Sequence, residues 1–462
     1  MTIRFLSILV CIFCLACVTT STGCRKLLDV SPPQNQVSTG TVFASDTNVV
    51  NALSGLYIQM MDNSRSLFNG GVTIFGGLSA DELVNTLPNI FEDPFRTNTL
   101  SADNLQDASL YNMAYTLIHT ANALLTGLDG ATSISGATKA ELRGEAEFTR
   151  ALVYFYLANL YGGVPLMTTT NYRTSALLPR SDSAAVYRQI LADLADAQQL
   201  LSGAYVTTPA YPNDRTRPNR GAATALLARV YFYTRQWVQA DSAATAVINN
   251  PLYQLEPSLD SVFLSPSREA IWQLQPVHGN MATAEGLSFL PAVPGYPPFY
   301  TLTDLLLNSF EPGDQRKTHW TAKAFNGKYY SWKYKRAVYD PAWTEYDMVL
   351  RLGEIYLLRA EARVFEEDYA GAAADLNMIR HRAGLATTTA SDGSDLLPAI
   401  RHERQIEFSV EWGQRWLDLK RSGQADPVLR ATKPAWTHKA ALFPIPAGEL
   451  VKNPNLVQND GY

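Results

Sequence analysis

All four cysteines of this chain, Cys11, Cys14, Cys17 and Cys24, fall at its very start, and nothing from Arg25 to Tyr462 carries a thiol. The segment that holds them has one cationic residue, Arg4, then an apolar run from Phe5 to about Val18, then the small polar stretch Thr19 to Gly23. That is the plan of a secretory leader, and its apolar run is shorter than the roughly twenty residues a membrane span needs. An exported chain of this size without a cysteine pair cannot lean on disulfides and has to be held by its core. Hydrophobic residues at 46% with charged residues at 18% are enough to build one. The same absence removes thiol nucleophiles and cysteine-ligated zinc from the chemistry open to the folded part.

Cys24 follows Ser21-Thr22-Gly23 directly. This resembles a bacterial lipobox, in which a lipid is attached to the cysteine and the leader is cut before it, although Ser21 stands where leucine is commonest. Cys17, after Leu15-Ala16, is the fallback acceptor. The expectation is an exported chain tethered by lipid at Cys24. No second apolar stretch reaches membrane-span length, and a net charge of −5 gives no basic footprint for nucleic acid.

The chain divides into a leader at 1–23, an extended arm at 24–45, a helical region at 46–251, a loop-rich insertion at 252–346 and a second helical region with an extended tail at 347–462. Apolar residues at three- and four-residue spacing, such as Tyr111, Ala114, Tyr115, Ile118, Ala121 and Leu125, mark amphipathic helices. Helices are read at about 48–61, around 111–125, over 139–161 and from a cap at Ser181-Asp182, with loops at Gly70-Gly71 and Gly76-Gly77. Helices resume near Asp347, and one more is read from Leu397 to Leu419. Ala228, Trp237 and Ala240 recur at one fixed offset as Ala360, Tyr369 and Ala372. Small–large–small spacing of this kind fits tetratricopeptide-like helical hairpins. The insertion, with Pro276, Pro291, Pro294, Pro297 and Pro298, reads as loops with a few short strands. The predicted fold is mostly α: a tetratricopeptide-like hairpin scaffold interrupted by a loop-rich insertion.

Several segments in order resemble the SusD/RagB family, the nutrient-binding lipoproteins of the Bacteroidetes outer membrane. They are Leu28-Asp29 with Pro32; Leu78-Ser79-Ala80-Asp81-Glu82; Arg143-Gly144-Glu145-Ala146 through Tyr161-Gly162-Gly163-Val164-Pro165; Arg351 to Ala362; Leu376-Asn377 through Leu385; Glu403-Arg404 through Asp418-Leu419; and Pro444-Ile445-Pro446 with Asn453-Pro454. The resemblance implies a binding protein that delivers a glycan or oligosaccharide to a SusC-type TonB-dependent transporter, from a lipid anchor on the outer face of the outer membrane.

The charged residues Glu354, Arg359, Glu361, Glu403, Arg404, Glu407, Glu411, Arg415 and Asp418 stand at helical spacing, with carboxylates beside arginines. They are read as ion pairs that lock helices together, since arginine's planar fork suits that task. Asp81-Glu82 could hold a cation or a ligand hydroxyl. The six histidines form no metal-ligand spacing, and no nucleophile elbow, phosphate loop or dinucleotide fingerprint is present, so no catalytic residue, metal or cofactor is expected. Sugar rings lie over flat aromatic faces, with amide or guanidinium groups taking the hydroxyls. The candidate ligand residues are therefore Asn89, Phe91, Phe95, Arg96, His278, Tyr296, Phe299 and Tyr300, with Trp320 next in line. Three rival readings use the same scaffold: capture of peptides, which needs a groove that pairs with extended backbone; a glycoside hydrolase, which needs two carboxylates across a cleft; and a repeat protein that only recruits other proteins.

Overall fold

The computed structural model describes residues 39–207, 214–277, 282–293, 295–338 and 344–462. Cys17, Cys24 and His278 lie outside the described residues. The fold is mostly helical with a few short strands, as the sequence predicts.

The helices used below are α1 Asp46–Met61, α2 Val72–Ser79, α3 Asp93–Thr97, α4 Leu105–Gly130, α5 Gly136–Tyr161, α6 Ser183–Leu200, α7 Arg220–Tyr233, α8 Trp237–Ile248, α9 Leu352–Phe365, α10 Tyr369–Arg382, α11 Gly393–Glu407 and α12 Gln414–Arg421. The strands are β1 Leu83–Asn85, β2 Ala270–Leu274, β3 Tyr300–Leu302, β4 Thr321–Lys323, β5 Tyr329–Ser331 and β6 Asp347–Arg351. Many helices start on a side chain that accepts from the first free amides: Ser45 for α1, Asn104 for α4, Ser135 for α5, Asp182 for α6 and Asn219 for α7. Such caps satisfy donors that have no partner inside the helix. No described helix is long and apolar enough to cross a membrane.

From α4 to α8 each helix packs on the next, and α9 then packs on α8 with α10 and α11 against it. The two hairpins with the shared spacing correspond through their first helix, their turn and the start of their second helix. Helices α7 and α9 each run 14 residues, and the equivalent turn residues Arg235 and Glu367 are both left-handed, at φ 59° and 62°. Ala228, Ala240, Ala360 and Ala372 are all buried, so the small residues sit where the helices approach. The insertion leaves after α8 and returns through β6, which pairs antiparallel with β2. A second ladder, β1 with β3, matches Leu83 to Leu302 and Asn85 to Tyr300, tying the N-terminal region to the insertion.

Three readings differ from the structure. Residues 347–351, read as the start of a helix, form strand β6 paired with β2, and the helix begins at Leu352. Residues 72–79 form a helix, α2, buried along its whole length, where the Gly76-Gly77 pair had suggested a loop. Glycine is needed there for closeness: a Cβ on Gly76 would stand 2.6 Å from the Cα of Gly413. The single helix read from Leu397 to Leu419 is two, α11 and α12, separated by a turn in which Val410, Trp412 and Gly413 are left-handed. A β-branched residue rarely takes that conformation, so the turn must be held by its contacts. The Val410 amide donates to Glu82 Oε1 at 3.0 Å and the Trp412 amide to Thr73 Oγ1 at 3.1 Å.

The carboxylates and arginines do what their spacing suggests. Arg229 grips Glu354 across α7 and α9 at 2.7 and 2.5 Å, and Arg359 grips Asp375 across α9 and α10 at 2.8 and 2.6 Å. Arg404 holds Asp418, Arg421 holds Glu361, and Arg415 holds Asp81. Denser still is the cluster around Glu407, whose Oε1 accepts from Arg351 at 2.6 Å and from Arg382, and whose Oε2 accepts from Arg316 at 3.0 Å. Arg351 also reaches Glu269 and Glu411, and Lys333 reaches Glu411. Although burial pushes the Glu407 carboxyl up, the Arg382, Arg351 and Arg316 guanidiniums hold it well below the usual carboxylate range.

Glu407→Ala leaves three buried cations without their shared anion. The expected loss is roughly 3–5 kcal/mol, the scale for breaking a buried pair from one side, measured by chemical denaturation. A loss below about 1 kcal/mol, the scale of an exposed pair, would count against the hub assignment.

Candidate functional site

The β1–β3 ladder ends in a groove of about 520 Å³, within the usual range for small-ligand sites. One wall is the segment after β1, from Asn85 to Glu92. The other is Leu290, Ala292 and Val293 with 296–300, and Arg65 from the turn after α1 lines the groove as well. The walls are stitched together where the ladder stops: the Thr86 amide donates to the Phe299 carbonyl at 2.9 Å and the Thr86 hydroxyl to the Pro298 carbonyl at 2.6 Å. Pro88, Pro297 and Pro298 stiffen the rim. Asn89 orders its own loop, its amide donating to Asp93 Oδ2 at 3.0 Å and its Oδ1 accepting from the Phe91 amide at 3.0 Å.

Tyr296 and Phe299, at 67% and 54% exposure, present aromatic surface at this groove. Exposed apolar side chains of this size are uncommon enough to need a partner or a reason when they cluster, and Leu87, Ile90 and Val293 are exposed beside them. The Arg65 guanidinium lies 5.6 Å from the Phe299 ring centroid and 6.0 Å from that of Tyr300, a cation–π contact that fixes these rings. Arg65 also meets Glu92 at 2.8 Å, and the Tyr300 hydroxyl donates to the other Glu92 oxygen at 2.8 Å. Burial first, and then the Glu92 charge, push the Tyr300 phenol up, so it remains a donor.

The sequence candidates thus separate. Asn89, Tyr296, Phe299 and Tyr300 come together at the groove. Of these Tyr300 is a wall residue, 1% exposed, whose hydroxyl is already engaged. Phe91 is half-exposed in the same loop but outside the lining, and Arg96 pairs with Asp93 at 3.3 Å on α3. Two candidates must be corrected. Phe95 is fully buried, stacked on Phe75 at 4.4 Å and edge-on to Phe443. Trp320 is buried within the insertion against Phe263, with its indole N–H donating to the Leu259 carbonyl at 3.0 Å. Both rings are needed to fill the core and neither reaches the groove.

Arg65 and Glu92 were not foreseen. Arg65 stands alone in a turn, left-handed at φ 64°, and no periodic pattern points at it. Asp81 and Glu82, considered for a cation or hydroxyl, are taken up by the fold: Asp81 by Arg415, and Glu82 by the Val410 amide, with burial pushing the Glu82 carboxyl up to about 8. Among the described residues no cluster of His, Cys, Asp and Glu could hold a metal ion. A second groove of about 580 Å³ lies by Tyr205, Arg215 and Arg268. Its Arg215 is committed to the Leu252 and Ala270 carbonyls and covers the half-buried Tyr205 ring, so among the described residues no open aromatic face lines it.

Phe95→Ala and Trp320→Ala should each lose roughly 3–5 kcal/mol, the usual range for emptying a buried aromatic site. Tyr296→Ala should shift stability by no more than about 0.5 kcal/mol, as for most surface changes. Denaturation curves of the three variants side by side make the comparison, and an unperturbed Phe95→Ala or Trp320→Ala would place that ring outside the core.

Residues 299–462 match the model of the SusD family, and residues 26–232 match one described as starch-binding, associating with outer membrane. A SusD-like protein of Formosa agariphila is 25% identical, over 95% of this chain and 95% of its own length. A crystal structure of a SusD superfamily protein from Bacteroides vulgatus aligns with a TM-score of 0.81 at 21% identity, covering 90% of this chain and 99% of that one. A laminarin-binding SusD-like protein aligns with a TM-score of 0.77 at 25% identity, covering 90% of this chain and 99% of its own. With family models matching on both sides of the insertion's start, and the fold shared along nearly the whole chain, the protein belongs to the SusD/RagB family.

Proposed function

We propose that this protein captures a glycan or oligosaccharide in the groove lined by 85–89 and Glu92 on one side and by Leu290, Ala292, Val293 and 296–300 on the other, and hands it to a SusC-type TonB-dependent transporter. On this reading it is held on the outer face of the outer membrane by a lipid on Cys24. The observation that carries the binding part is the pair of exposed aromatic residues, Tyr296 and Phe299, set on a rim stiffened by prolines, with Phe299 braced by Arg65. A sugar's C–H face packs on such a ring, and loops on a rigid scaffold are where binding residues belong. The laminarin-binding relative supports the same ligand class.

Binding without turnover fits the groove better than hydrolysis. A glycoside hydrolase needs two carboxyl groups on opposite sides of the scissile bond. Among the described residues Glu92 is the one carboxylate lining the groove, and it is buried between Arg65 and Tyr300. Glu354, Asp375, Asp418 and Glu361 are locked in helix-to-helix pairs.

Calorimetry against an oligosaccharide panel tests the site. Tyr296→Ala and Phe299→Ala should each weaken binding by about 1–2 kcal/mol, roughly 5- to 30-fold in Kd, with stacking on aromatic platforms as the nearest scale. The melting temperature should hold. Binding that survives both changes would move the site elsewhere. The anchor is tested separately: Cys24→Ala should abolish labelling by a fatty-acid analogue and release the protein from membranes, and persistent labelling would transfer the lipid to Cys17.

A further inference from the structure

Arginine in a sugar groove ordinarily suggests an acidic ligand, because its planar fork matches a carboxylate or sulfate. Here the arginine's charge already faces a counter-charge, through one ion contact to a buried carboxylate. Among the described residues Arg65 and Glu92 are the two charged side chains lining the groove, and they face each other at 2.8 Å. Glu92 is held in place: it is 2% exposed, and its second oxygen accepts from the Tyr300 hydroxyl at 2.8 Å. Arg65 is held as well, its guanidinium lying over Phe299 and Tyr300. The neighbouring charges repeat the arrangement. Asp93 pairs with Arg96 at 3.3 Å while its Oδ2 accepts from the Asn89 amide.

An anionic sugar entering this groove would have to take Arg65 from a buried carboxylate, or leave its own charge in an apolar cleft beside Glu92 without a cation. Either route carries the cost of burying an unpaired charge. An uncharged sugar asks for neither. It needs only the Tyr296 and Phe299 faces and polar groups for its hydroxyls. We propose that the groove selects uncharged oligosaccharides and rejects uronate- or sulfate-bearing ones, with Glu92 as the specificity-determining residue because its buried charge neutralises the arginine that would otherwise attract the acid. The inference rests on the groove being the glycan site.

The test uses the full chain and two matched probe sets, neutral gluco-, manno- and xylo-oligosaccharides and the oligouronates of galacturonic and mannuronic acid, titrated at low and at physiological salt. The wild type should bind from the neutral set with a Kd that salt leaves unchanged, and should ignore the oligouronates. Glu92→Gln keeps the shape and an acceptor for Tyr300 but frees the Arg65 charge. It should gain oligouronate affinity by roughly tenfold or more, the scale of one charge-assisted hydrogen bond, and that gain should fade as salt rises. Wild-type preference for oligouronates overturns the proposal, and so does a folded Glu92→Gln with no such gain. Should Glu92→Gln fail to fold, the wild-type preference and its salt dependence decide. Phe299→Ala separates the two layers of the reading. If it leaves all binding intact, the groove is not the site. If it abolishes binding while the wild type prefers oligouronates, the groove stands and the charge argument falls.

Discussion

The buried ion cluster around Arg351 and Glu407 is the constraint from which the positions of the other parts follow. Each of its charges would cost several kcal/mol in the interior if left alone, so the cluster exists only when all its contributors arrive together. Those contributors come from widely separated segments: Glu269, Arg316 and Lys333 from the insertion, Arg351 closing β6, Arg382 from α10, Glu407 ending α11, and Glu411 in the turn after it. The insertion buries apolar side chains of its own, among them Phe263, Trp272, Phe289 and Trp320, but apolar burial is non-directional. Ionic hydrogen bonds with fixed geometry give it one docking position on the helical scaffold, where apolar contacts alone would permit several.

The same cluster reaches the groove through contacts that can be followed residue by residue. Glu411 meets Arg351 and Lys333 because the chain turns back at 410–413. That turn is left-handed at Val410 and Trp412, and it is held by Glu82 and Thr73 on the α2 side. Thr73 in turn donates to Glu285 at 3.0 Å. The Glu82 carbonyl accepts from the Thr303 amide, at the end of the β1–β3 ladder whose other end frames the groove. The aromatic rim therefore stands on a ladder braced by buried polar contacts. This is how an exposed site keeps its rings in place before a ligand arrives, which reduces the ordering cost of binding.

What the sequence made legible follows from which signals are local. Hairpin helices announce themselves by period, and the matched alanines of α7–α8 and α9–α10 were visible because backbone approach demands small residues at fixed spacing. Arginines and carboxylates at helical intervals could be read as locks for the same reason. The break at 408–413 was invisible, because its cause is a contact with Gly76 more than three hundred residues away. At the groove the difficulty was of another kind. Phe95 and Phe299 are the same chemical group in similar loop-like sequence, yet one is a core plug and the other a platform. Nothing local distinguishes them, since burial is decided by Phe75 and Phe443, which come from remote segments. Arg65 and Glu92 were missed because a pair between two loops carries no period at all.

One chemical motif, an arginine against a carboxylate, thus serves two ends. Between helices, and at the base of the insertion, it is a lock whose value lies in geometry, with both partners buried and several bonds shared. At the groove the pair is placed where one partner, Arg65, remains partly open while Glu92 is not. That asymmetry matters. A fully buried pair could not influence a ligand, and a fully exposed one would be screened and mobile. An arginine seen from the groove but neutralised from behind offers its guanidinium as a brace for the aromatic rings while withholding its charge from the ligand. The groove is thereby left to discriminate by shape and aromatic contact, the two means that suit a flat, uncharged sugar.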